Sequence, residues 1–194
     1  MMRERIDTET LFQTALKVFA RYGYRKTSVE DIAAELDMTK GNLYLYVENK
    51  QDLYRKTVAY ALTRWQEKVA RDVAAQGDPR KQFDVMCVKA VNYLAGDADL
   101  RNILVHDPDI FPLFDENDPY REINRRSEEM IRTILVRGMK AKVFRKVDAE
   151  KTARVIFSIY KFIIIRMYIR PEGEGAREMF DQSLDLFSRG LFRE

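Results

Sequence analysis

The chain has 194 residues, of which 46% are hydrophobic and 34% charged, a balance that excludes intrinsic disorder and predicts one folded domain, or one domain plus a small appendage. A chain of this length buries roughly two thirds of its unfolded surface, so it needs no disulfide or metal to fold. The 34 Lys and Arg against 31 Asp and Glu leave a net charge of +3, too little to mark a nucleic-acid binder by charge alone. A single cysteine, Cys87, excludes an intrachain disulfide and a multi-cysteine zinc site. A single histidine, His106, removes most metal-binding and nucleophile-activating arrangements. No catalytic residue, cofactor or metal site is therefore expected. The first residues lack the apolar stretch of a secretory signal, and the greasiest run, 162–169, is too short for a bilayer and contains Arg166. A reduced, cytoplasmic protein with no membrane partner is expected.

Helical periodicity dominates the chain. Phe12, Ala15, Leu16 and Phe19 recur at i, i+3, i+4 and i+7, which predicts a first helix near 8–22, capped by Asp7 or Thr8 and ended by Gly23 in a left-handed conformation. Ser28 caps a second helix over 29–36, with Asp31 in its first turn. A short turn, Asp37-Met38-Thr39, leads to a third helix from Lys40 to about Tyr46. Asn49 caps a fourth helix that meets no breaker before Gly77 and spans roughly 40 Å, long enough to connect two lobes. Further helices are predicted up to Gly96, over 98–106, from about Ile123 to Lys142, over 149–169 and over 175–190. Three of the five prolines fall in 107–119, which reads as loop or turns. The acidic run Asp115-Glu116-Asn117-Asp118 lacks the alternating ligands and central glycine of a calcium loop and is expected to be exposed. No segment alternates as a strand, so the fold class is all-α.

Two short helices joined by three residues and packed on a preceding helix make a helix-turn-helix. Ala33 is small where the pair must cross, and Ile32, Leu36, Leu43 and Val47 have core-facing spacing. Thr39 caps the third helix. In units of this kind the second helix of the pair enters the major groove N-terminus first. Lys40, Gly41, Asn42, Tyr44, Leu45 and Tyr46 would then face DNA: Lys40 and Asn42 reach base edges or phosphate, Gly41 permits close backbone approach, and the tyrosine hydroxyls donate to phosphate.

The stretches 11–24, 27–33 and 39–53 also resemble, in order and spacing, the first helix, second helix and recognition helix of TetR-family transcriptional regulators. The resemblance covers about residues 9–56. It implies phosphate contacts from Lys40, Tyr44, Tyr46 and Lys50, and from Thr27 or Ser28 beyond their capping role. Three residues depart from the pattern. Asp37-Met38 replaces the usual Gly-Val turn, which Asp tolerates because it enters the left-handed region. Leu45 stands where polar or aromatic residues often read DNA, and its apolar side chain suits a thymine methyl. Val47 replaces the usual Phe and leaves a smaller plug beneath the recognition helix.

The same resemblance implies an N-terminal DNA-binding domain over 1–49 and a helical effector-binding and dimerisation domain over 50–194. The implied partners are a near-palindromic double-stranded operator, an apolar or amphipathic small-molecule effector, and a second copy joined through 149–169 and 175–190. The apolar stripes are most simply core. The effector pocket is expected among Phe83, Met86, Ile103, His106, Met130, Ile134, Phe157 and Tyr160. Cys87 is expected to be a small buried hydrophobe. Lys161 and Arg166, set in the greasiest helix, either snorkel, bridge acids at a dimer interface, or pair with an anionic ligand headgroup. The expected function is a ligand-responsive regulator, a repressor and not an enzyme. The alternative is a helical adaptor that keeps the fold without reading DNA, which the ten basic against nine acidic residues in 1–56 would permit.

Overall fold

The first helix starts where Asp7 accepts a hydrogen bond from the Thr10 amide at 3.2 Å. In the computed structural model, which describes residues 6–107, 110, 118–169 and 175–193, this helix, α1, spans Thr8–Lys26. Gly23 kinks it with φ +77° and ψ 161°, so the positive φ expected there is present, but helical turns resume as far as Lys26. The carbonyl that the kink exposes is not wasted. Gly23 O accepts both the Thr27 amide and the Thr27 hydroxyl, at 3.3 and 2.9 Å.

Helix α2 (Val29–Glu35) opens on a reciprocal cap: the Ser28 amide donates to Asp31 at 2.7 Å, and the Asp31 amide donates to Ser28 Oγ at 3.1 Å. It closes on Asp37 at φ +51°, with the Met38 amide on the Ala33 carbonyl and the Asp37 amide on that of Ala34. This is a Schellman ending in which Asp takes the place usually held by Gly. Helix α3 (Lys40–Leu43), capped by Thr39, makes one regular turn. The expected continuation to Tyr46 is present as tighter i→i+3 turns, with the amides of Leu45 and Tyr46 on the carbonyls of Asn42 and Leu43.

The long connector is α4 (Lys50–Ala74), capped by Asn49. It is followed by α5 (Pro79–Gly96), α6 (Ala98–His106), α7 (Arg121–Lys140) and α8 (Ala149–Ile164). Helix α8 runs on as a wider π-type turn over Ile165–Ile169, a change of pitch the periodicity did not predict. Helix α9 is Gly175–Leu191. No strand is present among the described residues. A single bridge pairs Phe144 with Phe192 and tucks the C-terminal segment against the turn after α7. There the Phe144 ring lies so close to Gly138 that any side-chain carbon at 138 would collide with it.

The acidic run is corrected at its last residue. Asp118 is buried, accepting the Tyr120 amide at 2.8 Å and the Asn124 side-chain amide at 2.5 Å, and so it organises the entry to α7. Residues 115–117, like Pro108, Pro112 and Pro171, lie outside the described residues.

Two apolar cores divide the molecule. The first joins α1, α2 and α3 to the start of α4 and to α6, through Leu11, Phe19, Ile32, Leu43, Leu53, Leu100, Ile103 and Leu104. The second joins the far part of α4 to α5, α7, α8 and α9, through Val73, Phe83, Ile134, Phe144, Ile156 and Phe180. Helix α6 packs on α1. The N-terminal core therefore continues past residue 49, and Leu53, Val58 and α6 complete it.

Candidate nucleic-acid interface and internal cavity

The turn between α2 and α3 puts the N-terminus of α3 on the surface. Lys40, Gly41, Tyr44 and Leu45 are exposed there, and Leu45 is the extreme at 74%. An aliphatic side chain this exposed on a surface turn contributes nothing to the core, whereas Leu43 and Val47 beside it are fully buried. Lys40 pairs with Glu30 of α2 at 2.5 Å and lies 5.8 Å from the Tyr44 ring. The hydrogen bond to Glu30 holds the Lys40 ammonium above its ordinary pKa, and Lys40 holds the Glu30 carboxyl below its own. Glu30 is a member of this surface that sequence reasoning missed, although an acid in the first turn of α2 was a visible signal.

The remaining predicted interface residues are divided. Ser28 and Thr39 cap α2 and α3. Thr27 is corrected: it is only 2% exposed and its hydroxyl is spent on Gly23 O, because the kink at Gly23 needs a donor there. Tyr46 is half-buried and turns its hydroxyl back to the Ile6 carbonyl at 3.3 Å. Lys50 sits 4.5 Å above the Tyr24 ring, with its ammonium 3.5 Å from the Arg25 carbonyl.

Helix α4 grips the end of this unit. Asp52, 6% exposed, accepts the Glu48 amide at 3.1 Å and pairs with Lys56 at 2.8 Å and Arg55 at 3.0 Å. The Lys56 bond is the main reason its carboxyl is held below the ordinary value. Lys56 also donates to the Tyr46 carbonyl at 3.0 Å. The first turns of α4 are thus bonded directly to the backbone that follows the recognition turn.

A second feature lies at the seam between the two cores. A cavity of about 70 Å³ is lined by α4, α5, α7 and α8, with Leu62 and Ile164 from the first core facing Val69, Met86, Ile131 and Phe157 from the second. Four residues expected in the pocket line it: Met86, Met130, Phe157 and Tyr160. Four are placed elsewhere. Phe83 is turned into the cluster of Phe144 and Phe192, at centroid distances of 6.4 and 5.9 Å. Ile103 belongs to the first core, on the face of α6 that meets α1. Ile134 is buried in the second core, outside the cavity lining. His106 is an exposed helix-end residue whose Nδ1 is 2.7 Å from the Asn102 carbonyl, beside Gly23.

The polar lining is sparse. Gln66 donates to the Ile123 carbonyl and to Ser127 Oγ, both at 2.7 Å, and Trp65 donates to the Ala90 carbonyl at 2.9 Å. Lys161, 8% exposed, lines the cavity with its ammonium 5.2 Å from the Phe157 ring centre. Cys87 is buried in the wall, and burial pushes its thiol up to about 12, so it is a neutral, unreactive group. The Tyr160 hydroxyl is buried and has no hydrogen-bond partner. Burial, with Cys87 and Tyr168 nearby, raises its pKa well above the ordinary value, so it remains a donor. Sequence reasoning missed Trp65, Gln66 and Asn124 as lining residues. A polar Gln and Asn bordering apolar stripes was the available signal.

Among the described residues no cluster of His, Cys, Asp and Glu could hold a metal ion, and no helix is long and apolar enough to cross a membrane. An N-terminal helix-turn-helix is thus joined by one long helix to an all-helical lobe with an apolar cavity. Residues 11–57 match the family described as bacterial regulatory proteins, tetR family. It is 25% identical over 100 residues to the fatty acid metabolism regulator protein of Bacillus subtilis, a match covering 52% of each chain. This protein thus spans about half the length of that relative. The fold matches the transcriptional regulator FadR from Bacillus subtilis in complex with stearoyl-CoA, with a TM-score of 0.74, 20% identity, and coverage of 95% of this chain and 99% of that one. It also matches a transcriptional regulator from Saccharomonospora viridis in complex with choline, with a TM-score of 0.73, 18% identity, and coverage of 97% and 100%. At these identities the two structures establish the shared fold.

Proposed function

We propose that this protein is a cytoplasmic, homodimeric transcriptional repressor, not an enzyme, that leaves a near-palindromic operator when a small molecule occupies the cavity. The observation that carries the reading is the position of the cavity at the seam of the two cores, with α4 running from its wall to the recognition unit. The cavity has room for only a handful of waters, each needing roughly 10–15 Å³. A larger ligand must part the helices around it. Any displacement of α4 is delivered to the backbone at Tyr46 and Glu48 through Lys56 and Asp52. A ligand that binds the parted form better lowers operator affinity by its differential affinity for the two forms.

Lys40, Gly41, Asn42, Tyr44 and Leu45 are the proposed major-groove set, with Ser28 and Lys50 beside them on phosphates. We take 1–49 as the DNA-binding domain and 50–194 as the effector and dimerisation domain, with α6 docked on the former. Dimerisation through α8 and α9 is supported by apolar side chains left exposed there. Val155 and Phe162, two turns apart on α8, are 54% and 44% exposed, and Leu186 on α9 is 70% exposed. Two copies related by a two-fold axis present two recognition helices to a palindrome.

The test is retention of fragmented source DNA by the purified protein at about 0.15 M salt with excess competitor. Enrichment of one or a few near-palindromes is expected. Failure to enrich any sequence, after the protein has been stripped of bound small molecules by unfolding and refolding, contradicts the reading.

A further inference from the structure

A basic pole stands at the end of the molecule away from the recognition turn. Arg137, Lys140, Lys142, Arg145 and Lys146 fall within ten residues that hold no Asp or Glu, in a chain whose net charge is only +3. All five are exposed. Arg145 donates to the Phe192 carbonyl at 3.3 Å, but the side chains of Lys140, Lys142 and Lys146 make no hydrogen bond or ion pair among the described residues. Asp148, the next acid along the chain, is engaged by Lys151 at 3.6 Å and by the cap of α8. Arg137 borders a surface groove together with Val73 and Ala74, the last turn of α4. That helix has 25 residues and is roughly 37 Å long, so the basic pole and the recognition turn lie at its two ends.

Lys142 adds an observation independent of charge. It sits in the left-handed region at φ +60°, within a Schellman ending in which the Val143 amide donates to the Gly138 carbonyl at 3.0 Å and the Lys142 amide to the Met139 carbonyl at 3.1 Å. Glycine enters that conformation without strain and lysine does not. No contact of the Lys142 side chain among the described residues offsets the strain, so a positive charge is held there at a cost to stability. We infer that this pole takes the phosphodiester backbone of a nucleic-acid duplex, without reading its bases, as a second site besides the recognition turn. The inference goes beyond the operator reading and rests on different residues. No large apolar side chain is exposed in 137–146. Lasting attachment to a membrane takes an apolar face besides the cations, and a protein partner takes aromatic or aliphatic anchors, with lysine depleted. Phosphate contacts require only cations on flexible stems.

The full-length protein is titrated with a labelled DNA duplex of unrelated sequence at several salt concentrations. In the variant Lys140→Gln, Lys142→Gly, Lys146→Gln, duplex affinity should fall about 10-fold or more, and the slope of log affinity against log salt should drop by about 2–3. Lys142→Gly alone should weaken duplex binding while raising the thermal midpoint by about 2 °C, opposite directions that a merely structural role does not give. The retained DNA fragment of the preceding section, fixed to beads, should capture the labelled duplex through the wild-type protein and not through the triple variant, which binds the fragment itself unchanged. A duplex RNA of the same length identifies the source, and binding of DNA, of RNA or of both supports the backbone assignment. Unchanged duplex affinity in the triple variant, a midpoint lowered by Lys142→Gly, equal competition by polyglutamate of the same charge, or binding to phosphatidylserine vesicles without binding to duplex overturns the inference. Specific retention without capture of the second duplex overturns this inference alone. Duplex binding that is lost in the triple variant, with no sequence specifically retained, overturns the operator reading alone.

Discussion

The Tyr54 hydroxyl on α4 donates to Asp107, just past the end of α6, at 2.9 Å, and so ties the connector helix to the segment that completes the N-terminal core. The Tyr54 ring is already held by Phe19, edge-on at 5.0 Å, and by Tyr24 at 4.9 Å. Burial and the Asp107 charge together raise the hydroxyl pKa far above the ordinary range, so it donates at every physiological pH. Tyr54→Phe keeps the ring contacts and removes only the tie. The expected cost is about 1.5–2 kcal/mol, the lower part of the range for a hydrogen bond to a charged acceptor. Thermal unfolding should show a midpoint lowered by about 3–8 °C. An unchanged midpoint would mean that Asp107 is served equally well by water.

The pair Lys40–Glu30 sets how much positive charge the recognition surface offers. On the proposed reading, DNA phosphate competes with Glu30 for the ammonium. Lys40→Ala should weaken binding to all sequences alike and reduce the slope of log affinity against log salt by about 1. Glu30→Gln should act in the opposite direction, raising affinity at fixed salt. Salt titrations of both variants on one retained DNA fragment check the signs.

On the proposed reading, Leu45 offers only hydrocarbon to the groove, and the thymine methyl is the hydrocarbon the major groove presents. Replacing thymine by uracil one position at a time in the retained sequence should weaken binding at one symmetric pair of positions. A buried methyl accounts for a loss of about 4-fold. The Leu45→Ala variant should be indifferent to that replacement. Sensitivity that persists in the variant would place the methyl contact on another residue.

Acid should loosen the joint between α4 and the recognition unit. The Asp52 carboxyl is held below its ordinary value of 3.8, chiefly by Lys56. A carboxylate with a depressed folded-state pKa contributes stability that is complete above the unfolded value and is lost as pH falls through the folded one. The contribution therefore disappears below about pH 4 and is constant at neutral pH. Asp52→Asn should cost about 1 kcal/mol at pH 7, a modest figure because Lys56 and Arg55 are half-exposed and screened by solvent. It should also flatten the decline in stability between pH 4 and pH 2, as read from unfolding midpoints.

The parts of the fold that the sequence disclosed are those fixed by residues three or four apart. The caps at Asp7, Ser28, Thr39 and Asn49 are all present, because each needs only a side-chain oxygen three residues ahead of the amide it serves. The Asp37 turn was legible for the same reason. What was not legible depends on how whole helices lie against one another. Phe83 and Met86 share one stripe of α5, yet only Met86 reaches the cavity, since Phe144 and Phe192 claim Phe83. Ile103 looked like lining but faces α1, because α6 docks on the N-terminal unit. Thr27 looked available for phosphate, and the kink four residues earlier consumes it. The change of pitch at Ile165–Ile169 has no local signature in the sequence.

The central claim is that occupancy of the cavity and occupancy of DNA oppose each other. The most direct test is to measure affinity for the retained DNA without ligand and with a saturating ligand identified by its effect on Trp65 emission, and then to measure ligand affinity with and without that DNA. The account predicts that both affinities fall, and by the same factor. DNA affinity that is unchanged at saturating ligand would contradict it.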